Sequence, residues 1–452
     1  MARLAEYIHG SGLMARILRS ASWITVGYGA GQALRLASNL ILTRILFPEA
    51  FGLMALVTMV TIGLALFSDL GIFPAISQSK RGDDPDFLNT AWTLQIIRGV
   101  VLFALTWVLA GPIADFYDEP LLASYLPVAG LSLLILGLQP TRVATAQRHL
   151  AVGRVTALDL TSQVIGLAVM IALAWATRSV FALVLGTVIQ ALVLLILNHA
   201  FLPGEHNRLR WDRSAVTELF GFGKWIFLST AFFFFTTQGD KAVLGKYLHL
   251  DLLGIYNIGY FLASFPIALG ITLAHRMLIP IYRERPPRES PENFRKLARM
   301  RHVATSGLVT MLALLAFGGP WLVGQLYDDR YLLAGGIVTL IAAVKMIQAV
   351  GVTYDNAALA AGDSRQYFVF NATRATLQVG FLLIGVTTFG LVGAIVGFGL
   401  ALICAHPVLI WLARSHHVWD PRHDLLWFGV VLVLSAAAIW MNFDAIRPMI
   451  GA

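Results

Sequence analysis

The chain has 452 residues, 58% of them hydrophobic and 13% charged, with a mean hydropathy of +0.73 and a formal net charge of +8. A soluble protein carries about 25% charged residues, so the composition excludes a soluble fold and defines an all-α polytopic membrane protein. The single cysteine, Cys404, excludes an internal disulfide and a Cys/His metal cluster. At the N-terminus, Leu4, Ile8, Leu13, Ile17 and Leu18 alternate with Arg3, Arg16 and Arg19. That pattern predicts an amphipathic interfacial helix over 1–20, with no cleavable signal. A helical span needs about 20 apolar residues. Thirteen stretches qualify, at 22–46, 51–75, 91–112, 122–140, 157–177, 180–200, 219–240, 253–274, 303–325, 334–360, 368–388, 391–413 and 425–441. In the loop at 275–302, Ser290 and Pro291 predict a basic helix as far as Arg301, anchored at anionic headgroups.

Charge fixes the expected orientation. With the N-terminus in the cytoplasm, the inner segments hold 22 of the 33 Lys and Arg, the outer segments five and the spans six. This is the positive-inside pattern, and it assigns the basic excess to cytoplasmic loops and not to nucleic acid. The chain also repeats. A shift of 202 residues places Trp23-Ile24 on Trp225-Ile226, Leu42 and Leu46 on Leu244 and Leu248, and Gly52 on Gly254. Six spans separate the copies, so both keep the same orientation, as in alternating-access transporters. The expected organisation is an interfacial helix (1–20), an N-lobe of six spans (21–200), a cytoplasmic linker (201–218), a C-lobe of six spans (219–413) and an extra C-terminal span (414–452). The two pseudo-symmetric lobes are expected to surround a central cationic cavity.

Six basic residues lie inside the spans: Arg35, Arg44, Arg98, Lys224, Lys345 and Arg374. A charge near the bilayer centre costs about 2.5–3.5 kcal/mol on insertion scales, so the deep ones should face a wet interior. Arg35 and Lys345 are near mid-span, and Arg98 and Arg374 lie about two turns from the cytoplasmic end. Arg44 and Lys224 are close enough to span ends to snorkel. Polar stripes at helical spacing accompany them: Tyr28, Gln32 and Asn39 beside Arg35, Asn257 with Tyr260, Gln348 beside Lys345, and Asn371 with Gln378 beside Arg374. Asp69, Asp159, Asp240 and Asp355 are the acidic counterparts, fit either to neutralise a basic neighbour or to bind a coupling cation or proton. Cations in a low-dielectric cavity attract an anion, and guanidinium matches phosphate. A substrate with a phosphate, a polar head and a hydrophobic tail left in the bilayer fits this lining.

Gln238-Gly-Asp-Lys-Ala-Val-Leu-Gly-Lys-Tyr-Leu, followed by Leu253-Gly-Ile-Tyr-Asn-Ile-Gly-Tyr, resembles the span 7–8 signature of bacterial polysaccharide (O-antigen) repeat-unit flippases. Leu42-Thr-Arg-Ile-Leu-Phe-Pro-Glu-Ala-Phe-Gly-Leu, Phe67-Ser-Asp-Leu-Gly-Ile and Ala360-Ala-Gly-Asp are similar to other parts of that family. The family belongs to the multidrug/oligosaccharidyl-lipid/polysaccharide exporter superfamily. The resemblance implies a two-lobed fold in the bacterial inner membrane. It also implies alternating-access export of a polyprenyl-pyrophosphate-linked oligosaccharide from the cytoplasmic to the periplasmic leaflet. It brings no cofactor, a Na+ or H+ gradient or the membrane potential as the drive, and a polysaccharide polymerase and chain-length regulator as partners. Asp240 and Lys241 fall in its motif. The rival readings are a lipid II-type flippase, a multidrug/cation antiporter and a membrane glycosyltransferase or polymerase. A cation antiporter would want a net acidic cavity. No Ser/His/Asp or metal-ligand spacing supports an enzyme.

Overall fold

The computed structural model describes residues 13–284 and 286–450. The predicted interfacial helix lies outside the described residues over 1–12, and the Lys224 side chain is outside them as well. The described elements are helices, as hydrocarbon requires, because a helix satisfies its own backbone groups. In chain order they are α1 (Leu13–Ile45), α2 (Pro48–Leu66), α3 (Ile72–Gln78), α4 (Pro85–Tyr117), α5 (Leu121–Gly137), α6 (Arg142–Arg148), α7 (Val152–Thr177) and α8 (Phe181–Phe201). There follow α9 (Arg213–Tyr247), α10 (Leu250–Glu284), α11 (Pro291–Leu326), α12 (Leu333–Gly351), α13 (Asp355–Ala361), α14 (Ser364–Ser415), α15 (Pro421–Met441) and α16 (Phe443–Ile446). The starts of α4, α11 and α15 share one device: Asp84, Ser290 or Asp420 caps the helix and a proline follows at its first position.

Among the described residues nine helices are long and apolar enough to cross a membrane, and this is a multi-pass membrane protein. All thirteen predicted stretches lie on helices, but they do not give thirteen qualifying helices. Two of the stretches share α14, α5 has only 17 residues, α1 carries polar residues that dilute its apolarity, and α9 includes residues 222–226, whose side chains lie outside the described ones. The 52 residues of α14 break at Phe389 and Gly390, where Gly390 has φ 59°. A left-handed glycine lets the chain reverse. Gly385 then meets the Gly393 backbone, and Gly397 meets that of Phe381, so α14 is a hairpin of two antiparallel halves. Two other expectations change. α1 runs unbroken from Leu13, so nothing separates its start from the first span. The basic helix at Ser290 does not end near Arg301: α11 continues for 36 residues, about 54 Å at 1.5 Å per residue. Arg301 accordingly leaves the headgroup region expected for it and is 1% exposed, with its guanidinium 4.2 Å from the Tyr354 ring centroid.

Two compact units divide the chain, the first ending at Ala231 and the second beginning at Phe232, except that Phe47–Ala55 pack with the second. In the first unit, small residues let helices approach closely. Gly99 of α4 meets Gly137 of α5, Gly186 of α8 meets Met170 of α7, and Gly27 of α1 meets Thr156 of α7. The segment after α8 is stitched along the start of α4. Asn89 Oδ1 accepts from the Arg208 amide at 2.9 Å, and the Thr93 and Thr90 hydroxyls accept from the Arg210 and Asp212 amides, each at 3.0 Å.

Arg81 locks this arrangement, donating to both Asp84 and Asp212 at 2.8 Å. Hydrogen bonding to Arg81 is the main reason the Asp212 and Asp84 carboxyls titrate below the usual carboxylate range. A lowered folded-state value stabilises the fold above the unfolded value, near 3.9, and that support is lost as pH falls through the folded value. Arg81→Ala should therefore make cleavage by trypsin after the exposed Arg208 and Arg210 several-fold faster at neutral pH. Equal cleavage rates in variant and wild type would show that the lock does not hold the segment.

In the second unit α12 is the central helix. All its residues are buried except Leu333, Ile347 and Gln348. Tyr331, fully buried just before it, takes the Phe51 ring edge-on at 6.1 Å. The start of α2 meets the start of α10 reciprocally. Gly52 lies against the Leu250 carbonyl and Gly254 against the Pro48 carbonyl, so a methyl on either glycine would overlap a carbonyl oxygen. Both pairs, Pro48 with Leu250 and Gly52 with Gly254, are related by the 202-residue shift of the repeat.

Candidate functional site: a cationic cavity in the second unit

A cavity of about 370 Å³ opens among α9, α10, α12, α13 and α14. Its volume is within the range of about 300–1,000 Å³ usual for ligand sites. The walls bring together six of the predicted residues: Tyr260, Lys345, Gln348, Asp355, Asn371 and Arg374. Helix periodicity explains the grouping. Lys345 and Gln348 are three apart on α12, and Asn371 and Arg374 are three apart on α14, so each pair shares a face.

The two cations are held differently. Lys345 is 5% exposed and forms no ion pair among the described residues. Its ammonium donates to Gln348 Oε1 at 3.3 Å and to Tyr260 Oη at 3.5 Å, and it lies 5.1 and 4.9 Å from the Tyr260 and Phe398 ring centroids. Ring faces attract a cation without neutralising it. Arg374 has its Nε buried with no hydrogen-bond partner among the described residues. Against these two cations the cavity wall sets one carboxylate, Asp355, which accepts from Asn356 Nδ2 at 3.1 Å. Among the described residues the lining is net basic by one charge before any histidine is counted.

Beside the cavity, Tyr256 Oη donates to the buried Asp240 at 2.8 Å, and Lys241 lies 4.0 Å from the same carboxylate. Lys241 also lies 5.0 Å from the Tyr260 ring centroid, so that ring has an ammonium near it from each of two helices. Gln378 donates to the Thr236 carbonyl at 3.3 Å and joins α14 to α9. Asn257 is half-buried one turn before Tyr260 and does not line the cavity.

The other predicted residues belong to the first unit. Arg98 donates to the Ala65 carbonyl at 2.5 Å and to Ser68 Oγ at 3.0 Å, closing the C-terminal end of α2, where a cation is favoured. Asp69 accepts from the Gly71 amide at 2.9 Å and shapes the turn that follows. Gln32 donates to Tyr28 Oη at 3.0 Å, and the Asn39 carbonyl accepts from Thr43 at 2.8 Å. Arg35 is exposed and makes no hydrogen bond or ion pair among the described residues, Asp159 is exposed, and Arg44 is exposed in the last turn of α1.

Two cavity residues were not foreseen. Tyr367 and His406 line the wall, where Ser264 continues the polar stripe of Asn257 and Tyr260 on α10, and behind His406 stands Asp424. His406 and Cys404 are the polar residues of an otherwise apolar stretch, which offered a cue, whereas Asp424 precedes its predicted span and looked like a loop residue.

The helical arrangement is that of the multidrug/oligosaccharidyl-lipid/polysaccharide exporters. The inward-facing structure of a multidrug resistance MATE family transporter of that superfamily aligns with a TM-score of 0.66 at 15% identity, over 90% of this chain and 96% of that one. The lipid II flippase MurJ in its inward closed conformation aligns with a TM-score of 0.68 at 10% identity, over 93% and 99%. The chain belongs to the polysaccharide biosynthesis protein family, whose model matches residues 41–334. The lipopolysaccharide biosynthesis protein WzxC of Escherichia coli (strain K12) is 23% identical over 399 residues, 86% of this chain and 79% of that protein. The family match ends ahead of Lys345 and Arg374.

Proposed function

We propose that this protein is a flippase that carries a lipid-linked oligosaccharide, joined to its polyprenyl chain through pyrophosphate, from the inner to the outer leaflet of the bacterial inner membrane. The observation that carries the reading is the placement of Lys345 and Arg374 in one cavity with Gln348, Asn371, Tyr260 and Ser264. The cations suit a pyrophosphate, while the amides and hydroxyls suit sugar. The part of WzxC in lipopolysaccharide biosynthesis and the lipid II flipping of the structural neighbour MurJ support a substrate of this class. The distribution of Lys and Arg supports a cytoplasmic N-terminus. A cation antiporter is disfavoured by the net basic lining. No cofactor enters this scheme, and an ion gradient or the membrane potential supplies the drive. Deleting the gene should leave the lipid-linked oligosaccharide on the cytoplasmic leaflet, protected from a glycosidase added outside spheroplasts. A glycan left unpolymerised or shortened on a lipid that still reaches the outer leaflet would instead assign the protein to an enzyme of the same pathway.

A further inference from the structure

His406 stands on the cavity wall, 12% exposed at its side chain, and its Nε2 lies 3.2 Å from Asp424 Oδ2. Asp424 has three further donors: Tyr354 Oη at 2.7 Å, Trp419 Nε1 at 2.9 Å and His423 Nδ1 at 3.1 Å. A carboxylate so supplied is held as an acceptor, which fixes the proton of neutral His406 on Nε2. Nδ1 is left as an acceptor. It faces Gly351, a cavity-lining residue, and has no hydrogen-bond partner among the described residues. Among the described residues, the charged and titratable groups around the pair are Tyr260 on α10, Arg301 and His302 on α11, Lys345 on α12, Tyr354 and Asp355 at the start of α13, Tyr367 and Arg374 on α14, and Asp420 and His423 at the start of α15. His423 differs from His406 in being fully buried, with its Nε2 engaged by Thr305 Oγ1 at 3.0 Å. No group of three His, Cys, Asp or Glu among the described residues could hold a metal ion.

We propose that His406, backed by Asp424, is a proton-binding site on the cavity wall, and that the proton and an anionic ligand bind there jointly. The proposal rests on the anion reading given above. A proton on Nδ1 makes an imidazolium–carboxylate pair and adds one positive charge to a lining that already carries a net one. The anion stabilises that charge, and by linkage the proton strengthens anion binding by the same factor. The bland alternative is a polar clip between α14 and α15. A clip needs only Nε2 and gives no reason for a free Nδ1 on the cavity side.

The test is calorimetric titration of the purified full-length protein with a nucleoside-diphosphate sugar. Its pyrophosphate diester does not titrate over the range, from about pH 6 to pH 8, in which histidine does. Titrations in two buffers of different ionisation heat count the protons taken up. The wild type should take up a proton on binding and gain about tenfold in affinity from pH 8 to pH 6, one pKa unit of linkage. H406Q should bind without proton uptake and with flat pH dependence, and its circular dichroism and thermal unfolding should match those of the wild type, which shows that the variant is folded. Wild-type binding without proton uptake, uptake surviving in H406Q, or uptake lost in H423Q but not in H406Q would each overturn the proposal. If the wild type fails to bind the diester at any pH, the anion reading itself falls and takes this inference with it.

Discussion

Lys345→Met and Arg374→Gln should each slow transport of a lipid-linked pyrophosphate substrate about ten- to a hundredfold, and together they should abolish it. The magnitude follows from hydrogen bonds to charged groups, worth about 1.5–3 kcal/mol, with about 1.4 kcal/mol per factor of ten. The argument turns on how the charges are kept. Burying an ammonium in the membrane costs about 2.5–3.5 kcal/mol. A desolvated aromatic face returns about 2 kcal/mol, and Lys345 has two, Tyr260 and Phe398. The rings thus offset the burial where a carboxylate would have cancelled the charge. Reconstituted vesicles with a labelled lipid-pyrophosphate glycan give the rate, and immunoblots give the protein level. Wild-type rates in both variants at normal levels would remove the cationic cavity from the mechanism.

Alanine at Gly52 or at Gly254 should destabilise the protein by about 1–3 kcal/mol or more, the range for overpacking. Each methyl would meet a carbonyl of the facing helix, an atom that no rotamer change can move aside. The double variant should cost less than the sum, because the first methyl already separates α2 from α10 and the second enters the gap it made. Gly111→Ala is the control. Gly111 has no neighbour within 4 Å of the added methyl, and alanine there gains helix propensity, worth about 1 kcal/mol. Thermal unfolding in detergent reads the four variants against the wild type. Additive losses, or a Gly254→Ala protein as stable as wild type, would mean that the two helices do not bear on one another as described.

The helices and the family were legible because both depend on short-range pattern. Hydrocarbon demands long apolar helices, and the Gly52 and Gly254 segments carry their similarity in contiguous residues. The cavity was half legible. Spacing placed Lys345 with Gln348 and Asn371 with Arg374, and the cost of intramembrane charge said they must face a polar interior. The same cost misled at Arg98, because the exposed carbonyls at the end of a helix satisfy a guanidinium as well as a substrate does. Arg301 looked like a headgroup anchor because a run of basic residues hid where the helix would turn one of them inward. Asp424 was invisible, since its partners Tyr354 and His406 are 70 and 18 residues away and share no motif with it.

The length of α11 has a bearing on the membrane itself. About 54 Å of helix exceeds a hydrocarbon layer of about 30 Å, and the surplus at its start carries the exposed Arg295, Lys296 and Arg299. Basic groups on a continuous helix sit at a fixed height, unlike those on a loop. The bilayer must meet them there, and where it is too thin the helix has to tilt. Lipid thickness and anionic headgroup content would then set the inclination of α11, and with it the packing around the buried Arg301. Activity in vesicles of graded acyl-chain length should pass through an optimum for this protein.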